Sequence, residues 1–469
     1  MSPKNVHCWP IVHYRIRVLL DRPALLQRQP HVPPRFVLGA ALAAVLLVGI
    51  EVVCARLYLS GPTVLLLRSY VFEEPAAPGI YCGLALMLVL LRPRLRWLAL
   101  GSAVTIDLVL AVARLLLHGH VRSFGSGALI VLTALAGYAV LRLRGIEQVN
   151  ALRGLACGAA LVAATTMGNV WLEITAQVRP MVLDEYVEVA DRALGSPSWA
   201  MGELFEVLGT PGHYLFLAVY SMLPLTAVFV AVVQLRRGWL RHNVMLTFIA
   251  LGALGPAIYL LFPVVGPVYA FGSAGGPFAL STQWAHQVPS FSVAQPLRFD
   301  NFTPRNCMPS LHTAWAVILF VHTRSMSRWM RVLGAVWLLG TLAATLGFGY
   351  HYGVDLVVGA VFALTVEAAM QSRVQGWDRA RVQLVAYGSA VVTALLLGVR
   401  YGTTWIGADP VMSGVLILGA LGAMVAGFYR LTAAQRPVLV HRSIRPSGVG
   451  TPARAPFADA GQIGRTIPR

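Results

Sequence analysis

The chain has 469 residues, 57% of them apolar and only 12% charged, with a formal net charge of +18 and a mean hydropathy of +0.68. A soluble protein carries roughly twice that share of charge, so a soluble enzyme, a disordered chain and a secreted disulfide scaffold are excluded, and the composition is that of a polytopic α-helical membrane protein. Nor does the basic excess indicate nucleic acid: 36 of the 37 basic residues are arginine, Lys4 being the lone lysine, and they lie in small clusters between apolar runs rather than in one patch interleaved with aromatics.

Residues 1–35 are basic but too long and irregular for an ordinary signal peptide, and the apolar run after them reads as an uncleaved start-transfer anchor. Apolar runs follow near 36–58, 77–91, 97–117, 126–141, 154–174, 213–235, 243–262, 309–322, 332–350, 352–371, 383–400 and 411–429. At ~20 residues per crossing they predict about twelve transmembrane helices. With the amino terminus in the cytoplasm, the inside loops hold Arg92/Arg94/Arg96, Arg142/Arg144/Arg153, Arg236/Arg237/Arg241, Arg324/Arg328/Arg331 and Arg373/Arg379/Arg381. Together with the two tails they account for 28 of the 37 basic residues, as retention of arginine on the cytoplasmic side requires. Both termini are therefore expected inside a multi-pass cell-membrane protein. The near-absence of lysine suggests a GC-rich, bacterial coding sequence. The expected layout is a cytoplasmic segment 1–35, four accessory helices over 36–150, a core over 151–372, two further helices over 373–429, and a Pro/Gly/Ala/Arg-rich tail over 430–469 that reads as disordered and cytoplasmic.

Within the early spans, Glu51, Asp107 and Arg114 call for a partner or a water cavity, since a charge at mid-membrane costs roughly 2.5–3.5 kcal/mol, and they read either as structural pairs or as part of a lipid or ion path. Glu367 lies near a cytoplasmic helix end, from which it is expected to snorkel. The five cysteines (Cys8, Cys54, Cys82, Cys157, Cys307) show no metal-ligand spacing and are expected as unpaired thiols. Two outside segments are long. Residues 175–212 hold six carboxylates, and Leu183, Val187, Ala190 and Leu194 recur at helical spacing, which predicts a short interfacial helix. Residues 263–308 are rich in Pro, Gly and aromatics (Tyr269, Phe271, Phe278, Trp284, Phe291, Phe299, Phe302), a length that marks a functional loop.

The chemistry-bearing residues cluster beside that loop. Arg305-Asn-Cys-Met-Pro-Ser-Leu-His312 leads into one apolar run, and Gly349-Tyr-His351-Tyr-Gly-Val-Asp355 leads into another, both on the outer side of the expected topology. His351 and Asp355 are four apart, so a helix would stack them on one face and let the carboxylate accept an imidazole N–H, freeing the other nitrogen to attack. His312 follows Pro309 and Ser310 at a helix start, where unpaired N–H groups favour anions and Ser310 can cap. Arg305 offers a bidentate fork for phosphate. The set amounts to a kit for phosphoryl transfer without a metal, although a histidine taken singly at a membrane boundary is structural or interfacial more often than catalytic, and His312, His351 and Asp355 taken together leave a metal site open.

The strings Pro309-Ser-Leu-His312 and His351-Tyr-x-x-Asp355-x-x-x-Gly359 resemble the type 2 phosphatidic acid phosphatase (PAP2) superfamily. They look most like its inositol-phosphorylceramide-synthase-like branch, which Tyr259-x-x-x-Pro263-x-x-Gly266-Pro267-x-Tyr269 also resembles. The resemblance spans roughly residues 151–372, a core of about six helices. It implies that His351 attacks phosphorus to form a phosphohistidine, that Asp355 orients it, and that His312 protonates the departing oxygen and later deprotonates the acceptor. Those tasks need opposite starting protonation states, which small shifts from a pKa near ~6.5 can supply. The sequence departs from the superfamily at its first motif, where Gly266-Pro267 replaces Arg-Pro, and at its third, where Ala344-Thr345 stands in place of Ser-Arg. Arg305, with Arg298, is the expected substitute phosphate ligand, and Ser310, Tyr259 and Tyr352 complete the expected substrate-binding set. The implied partners are the bilayer, a lipid phosphate or phospholipid substrate and an acceptor that is water or an alcohol such as inositol, with no cofactor and no metal. Two other functions fit the composition: a secondary transporter, against which the lack of an internal repeat speaks, and a non-catalytic lipid-binding protein.

Overall fold

The computed structural model describes residues 34–71, 77–89, 91–118, 124–236, 242–272, 288–291 and 293–434. The basic leader, the carboxy-terminal tail, Phe278 and Trp284 lie outside the described residues. The architecture is all-α. In chain order the helices are α1 (Pro34–Arg56), α2 (Pro62–Val71), α3 (Ala77–Leu88), α4 (Pro93–His118), α5 (Ser126–Leu141), α6 (Gly145–Val178), α7 (Asp184–Arg192), α8 (Pro197–Arg236), α9 (Val244–Leu261), α10 (Pro267–Ala270), α11 (Leu311–Thr323), α12 (Arg328–Gly347), α13 (Gly353–Gln375), α14 (Arg379–Tyr401), α15 (Thr403–Ala408) and α16 (Pro410–Ala434). One two-residue ladder interrupts them: β1 (Met181–Val182) pairs antiparallel with β2 (Leu297–Arg298) and ties the long loop to the segment before α7.

Each of the twelve apolar runs lies on a helix, and among the described residues eight helices are long and apolar enough to cross a membrane: α4, α6, α8, α9, α12, α13, α14 and α16. The short apolar helices α3, α5 and α11 are three of the four runs that remain, and α1 is the fourth, the side chains at its start lying outside the described residues. The 13 residues of α11 reach about 20 Å at ~1.5 Å per residue, short of a ~30 Å hydrocarbon core. Irregular backbone, residues 305–310, leads into it, buried in protein except at half-exposed Asn306, which is the condition under which non-helical chain is tolerated at membrane depth. The exposed rings of Trp97, Trp329 and Trp377 sit beside Arg94/Arg96, Arg328 and Arg379, the pairing expected where helices leave the lipid.

In the amino-terminal group, α3 packs on α6 through glycines: a Cβ on Gly158 would lie 2.3 Å from the Gly83 carbonyl oxygen. Such small-residue contacts let helices approach closely in lipid. The early charges are paired. Buried Asp107 accepts from Tyr81 Oη at 2.6 Å and from the Gly125 and Gly127 N–H groups at 2.9 and 2.6 Å, so it caps α5 from the neighbouring helix. Arg114 donates to Ser126 at the same helix start, and Glu51 accepts from Thr63 N–H at the start of α2. Cys54, Cys82, Cys157 and Cys307 are buried free thiols.

The centre of the bundle is α13, 83% of whose apolar window is buried, against 22–44% for the other spans. That burial overturns the snorkelling expected of Glu367, which is wrapped by protein and has no route to water. Its carboxylate instead accepts from His242 Nε2 at 2.8 Å, Thr247 Oγ1 at 2.7 Å and Gln371 Nε2 at 2.9 Å, with His322 Nε2 at 3.3 Å. Gln234 holds its oxygen against Val244 N–H and turns its amide nitrogen to His322 Nδ1, so His322 directs Nε2–H at Glu367. The cluster is hydrogen-bonded through Glu367, while His242 Nδ1 and Gln371 Oε1 are buried without a partner.

Helix α7 forms where helical spacing predicts it, but it is not laid on the surface. Val187 and Ala190 are buried, and so are Asp184, Glu188 and Asp191. The acids turn inward because backbone N–H groups wait there: Asp184 accepts from Val265 and Gly266, and Asp191 from Val354. Glu188 finds no hydrogen-bond partner, only Arg192 at 3.7 Å. Burial, and then the charge of Asp191, push the Glu188 carboxyl up to about 9. Burial, and then the charge of Asp355, push Asp191 up to about 8. A carboxyl pKa raised by folding means the folded state holds a proton that the unfolded chain releases near pH ~4, so stability falls as pH rises from there toward the folded values. Thermal unfolding in detergent should therefore show a midpoint that declines between about pH 5 and about pH 9, with Glu188→Gln flattening the decline; an equally steep decline in the variant would refute this account of α7.

Candidate active site

Two helix starts meet head to head. Ser310 caps α11, accepting from Thr313 N–H at 3.3 Å, and its own N–H donates to the Asp355 carbonyl at 3.2 Å. The approach requires Gly359, where a Cβ would lie 2.5 Å from the Ser310 carbonyl oxygen. Likewise Gly266 adopts φ 103°, and a Cβ there would lie 2.5 Å from the Tyr350 carbonyl oxygen. These two motif glycines bring the segments before α11, α12–α13 and α10 together, and the Met308–Pro309 peptide between them is cis.

The result places the rings of His312 and His351 6.5 Å apart, centroid to centroid, on one cavity of about 370 Å³. His351 is buried, its N–H bonded to the Thr345 carbonyl and its own carbonyl accepting from Ser198 Oγ at 2.8 Å. Its Nδ1 lies 2.8 Å from the Cys307 carbonyl. A carbonyl can only accept, so Nδ1 carries the proton and Nε2 keeps the lone pair. Half-exposed His312 stacks on Tyr220 at 4.0 Å with 20° between planes, and its Nδ1 lies 3.1 Å from the Tyr220 hydroxyl.

The carboxylate expected to hold His351 does not touch it. Asp355 Oδ2 is 3.7 Å from Nδ1, beyond hydrogen-bond reach. The helical stacking expected from the four-residue spacing fails because α13 begins only at Gly353, which leaves His351 outside the helix. Asp355 turns back instead, accepting from Tyr352 N–H at 2.8 Å and from the Cys307 thiol at 2.7 Å. It thus holds both the helix start and the residue whose carbonyl orients the imidazole. Burial, then the charge of Asp355, push the Cys307 thiol up, which keeps it a proton donor. Cys307, His351 and Asp355 offer ligand atoms within 4.8 Å of one another, so a metal there would displace the thiol and Nδ1 protons.

The other expected ligands divide. Tyr259 donates to the Pro309 carbonyl at 3.1 Å and lines a second, apolar cavity of about 530 Å³ that also reaches His312. Tyr352 is buried and donates to Asp184 at 3.0 Å, behind the site. Arg298 lies exposed on β2. Arg305, expected to grip phosphate, is fully buried with its guanidinium donating to the carbonyls of Arg179, Thr303 and Asp300 and with Asp300 Oδ1 at 3.8 Å. The loop turns its carbonyls inward and consumes the fork. Neither arginine lines the reaction cavity, and among the described residues no arginine or lysine does. Its polar wall is Tyr220, Ser221, Tyr269, Asn306 and Tyr350 beside the two histidines. Asn306 sits inside the quoted motif, but no local pattern marks Tyr220 or Ser221, which arrive from the middle of α8.

Residues 199–369 match the PAP2 superfamily. The match supports membership of that superfamily for the stretch that carries both histidines, and with the apolar helices it supports a membrane enzyme of phosphatase type. Residues 35–174, covering α1 to α6 up to its last turn, match a domain of unknown function, DUF5933. No curated protein and no solved structure shows significant similarity to the chain.

If Arg305 braces the loop, Arg305→Ala lowers the midpoint of thermal unfolding by about 3 °C or more and exposes residues 288–308 to proteolysis. A raised KM at unchanged melting temperature would return Arg305 to the substrate.

Proposed function

We propose that the protein transfers or releases the phosphoryl group of a membrane lipid through a phosphohistidine on His351. The observation that carries the reading is the pair of imidazoles on one cavity, with the proton of His351 held at Nδ1 by the Cys307 carbonyl. Nε2 then attacks phosphorus while the bond from phosphorus to the leaving oxygen breaks, and a protonated His312 delivers its proton to that oxygen. The now neutral His312 takes a proton from water or an alcohol, whose oxygen attacks the same phosphorus; the P–N bond breaks and its electron pair returns to His351. Tyr220, at Nδ1 of His312, is placed to orient that ring. Asp355 acts through Cys307 and the start of α13, as a positioning residue.

Charge selects among lipid phosphates. A phosphomonoester brings close to two negative charges near neutral pH, and such groups are ordinarily gripped by arginine forks. This cavity offers tyrosine hydroxyls, an amide and two imidazoles and, among the described residues, no guanidinium or ammonium, which suits the single charge of a phosphodiester. That favours transfer from a phospholipid head group, of the inositol-phosphotransferase kind, over monoester hydrolysis. The arginine distribution favours an extracytoplasmic site with both termini in the cytoplasm, and the favoured division remains an accessory amino-terminal group, a catalytic core and two closing helices.

Purified protein in detergent, offered phosphodiester and phosphomonoester lipids with and without alcohol acceptors, tests the reading. The expected result is turnover of the diesters that EDTA leaves unchanged and that His351→Ala reduces by at least ~10³-fold, with ³²P retained on wild-type protein in an acid-labile, base-stable form as for a covalent intermediate. Undiminished turnover in His351→Ala would exclude the phosphohistidine, and strong inhibition by EDTA would exclude the metal-free route.

A further inference from the structure

The apolar cavity of about 530 Å³ beside His312 falls within the ~300–1,000 Å³ of ordinary ligand sites. One wall comes from outside the PAP2-matched stretch. On α6, Leu161, Ala164, Thr165, Gly168, Asn169 and Leu172 all line it, and their spacing places them on a single helix face. Gly79 and Cys82 of α3 continue that wall, and α8 and α9 supply the other through residues such as Val228 and Phe248. Thr165 presents no free donor, because its hydroxyl bonds back to the Leu161 carbonyl at 2.9 Å. The cavity adjoins the reaction cavity: Ser221, Pro224, Asn306 and His312 line both.

We propose that α3 and α6, within the stretch that matches the domain of unknown function, form a binding site for the hydrocarbon tail of the lipid and select which tails are accepted. The inference rests on the lipid-phosphate reading above. The occupant follows from adjacency and chemistry. A molecule whose phosphorus lies between His312 and His351 has a chamber of mostly apolar lining immediately beside it, where a hydrocarbon tail is buried without stranding polar groups of its own. An acyl and a prenyl chain share that chemistry.

Gly168 is the test position, because a Cβ there meets nothing within 4 Å and a larger side chain grows into the chamber. Gly137 on α5 is the control: it is exposed, and a Cβ there also meets nothing within 4 Å. Full-length wild type, Gly168→Phe and Gly137→Phe would be assayed with dioleoyl and dihexanoyl phosphatidylglycerol and, in a second arm, with long and short polyprenyl phosphosugars, which are phosphodiesters too. The same proteins carrying His351→Ala would be examined by native mass spectrometry for lipid retained after incubation. Gly168→Phe should cut turnover of the long-tailed partner at least tenfold relative to the short one and abolish retention of the long lipid, with Gly137→Phe matching wild type. The arm that responds identifies the tail. If Gly168→Phe does not fold, Ala164→Leu, one turn away on the same face, repeats the comparison.

The two readings separate cleanly. Wild-type turnover with an unchanged long-to-short ratio in Gly168→Phe overturns the tail site and leaves the reaction standing. Retained lipid that Gly168→Phe expels, with no turnover by wild type, leaves the tail site standing and overturns the reaction. Neither turnover nor retention in wild type overturns both.

Discussion

The site depends on what is done with the unpaired N–H groups at the start of α13. A helix that begins inside a membrane protein exposes donors that no water can satisfy. Here carboxylates meet them: Asp355 takes Tyr352 N–H and Asp191 takes Val354 N–H. Asp184 secures the adjoining turn through Val265, Gly266 and the Tyr352 hydroxyl. Because Asp355 also receives the Cys307 thiol, the same carboxylate that begins the helix sets the chain whose carbonyl holds His351. Catalytic geometry and helix capping are one structure, which is why so many motif residues prove to be a frame behind the reacting groups.

That frame accounts for the short helix α11 and the irregular chain ahead of it. Backbone that is neither helix nor sheet is acceptable at depth only where protein satisfies it, and Ser310, Asp355, Tyr259 and Arg305 each bond a backbone group there. Arg305 shows the consequence most plainly. A guanidinium in a polar loop motif suggests an anion ligand, but an inward-turned loop presents carbonyls, and five N–H donors are well matched to them. The reaction cavity is left with neutral donors and two imidazoles, a polarity that distinguishes it from an arginine-lined phosphate pocket. The amino-terminal helices, which carry no catalytic motif, become intelligible as the wall of an adjoining apolar chamber.

Much of this was legible from residue order. The apolar runs mark helices because a span must satisfy its backbone internally, so the all-α class and the position of every predicted helix follow from hydropathy alone. His312 and His351 stand out because polar residues at helix ends in a membrane protein are costly unless used. Tyr220 and Ser221 were not legible: they lie in the middle of a long apolar helix and reach the cavity only through the way α8 crosses α11 and α12. The short α11 was equally hidden, since hydropathy reports apolar length and not where the first hydrogen-bonded turn closes.

Residue order by itself determined the solvent of this protein, its helical class and the two histidines that face each other, because hydrophobicity and titratable chemistry are properties of side chains one at a time. Tertiary structure decided which imidazole nitrogen is free, that Asp355 serves the helix and the Cys307 thiol in place of the ring, that Arg305 is spent on carbonyls, and that Glu367 is sealed in the bundle. Each of those outcomes turns on which backbone groups segments far apart in the chain bring within 3 Å or so of a side chain, and no local spacing encodes that.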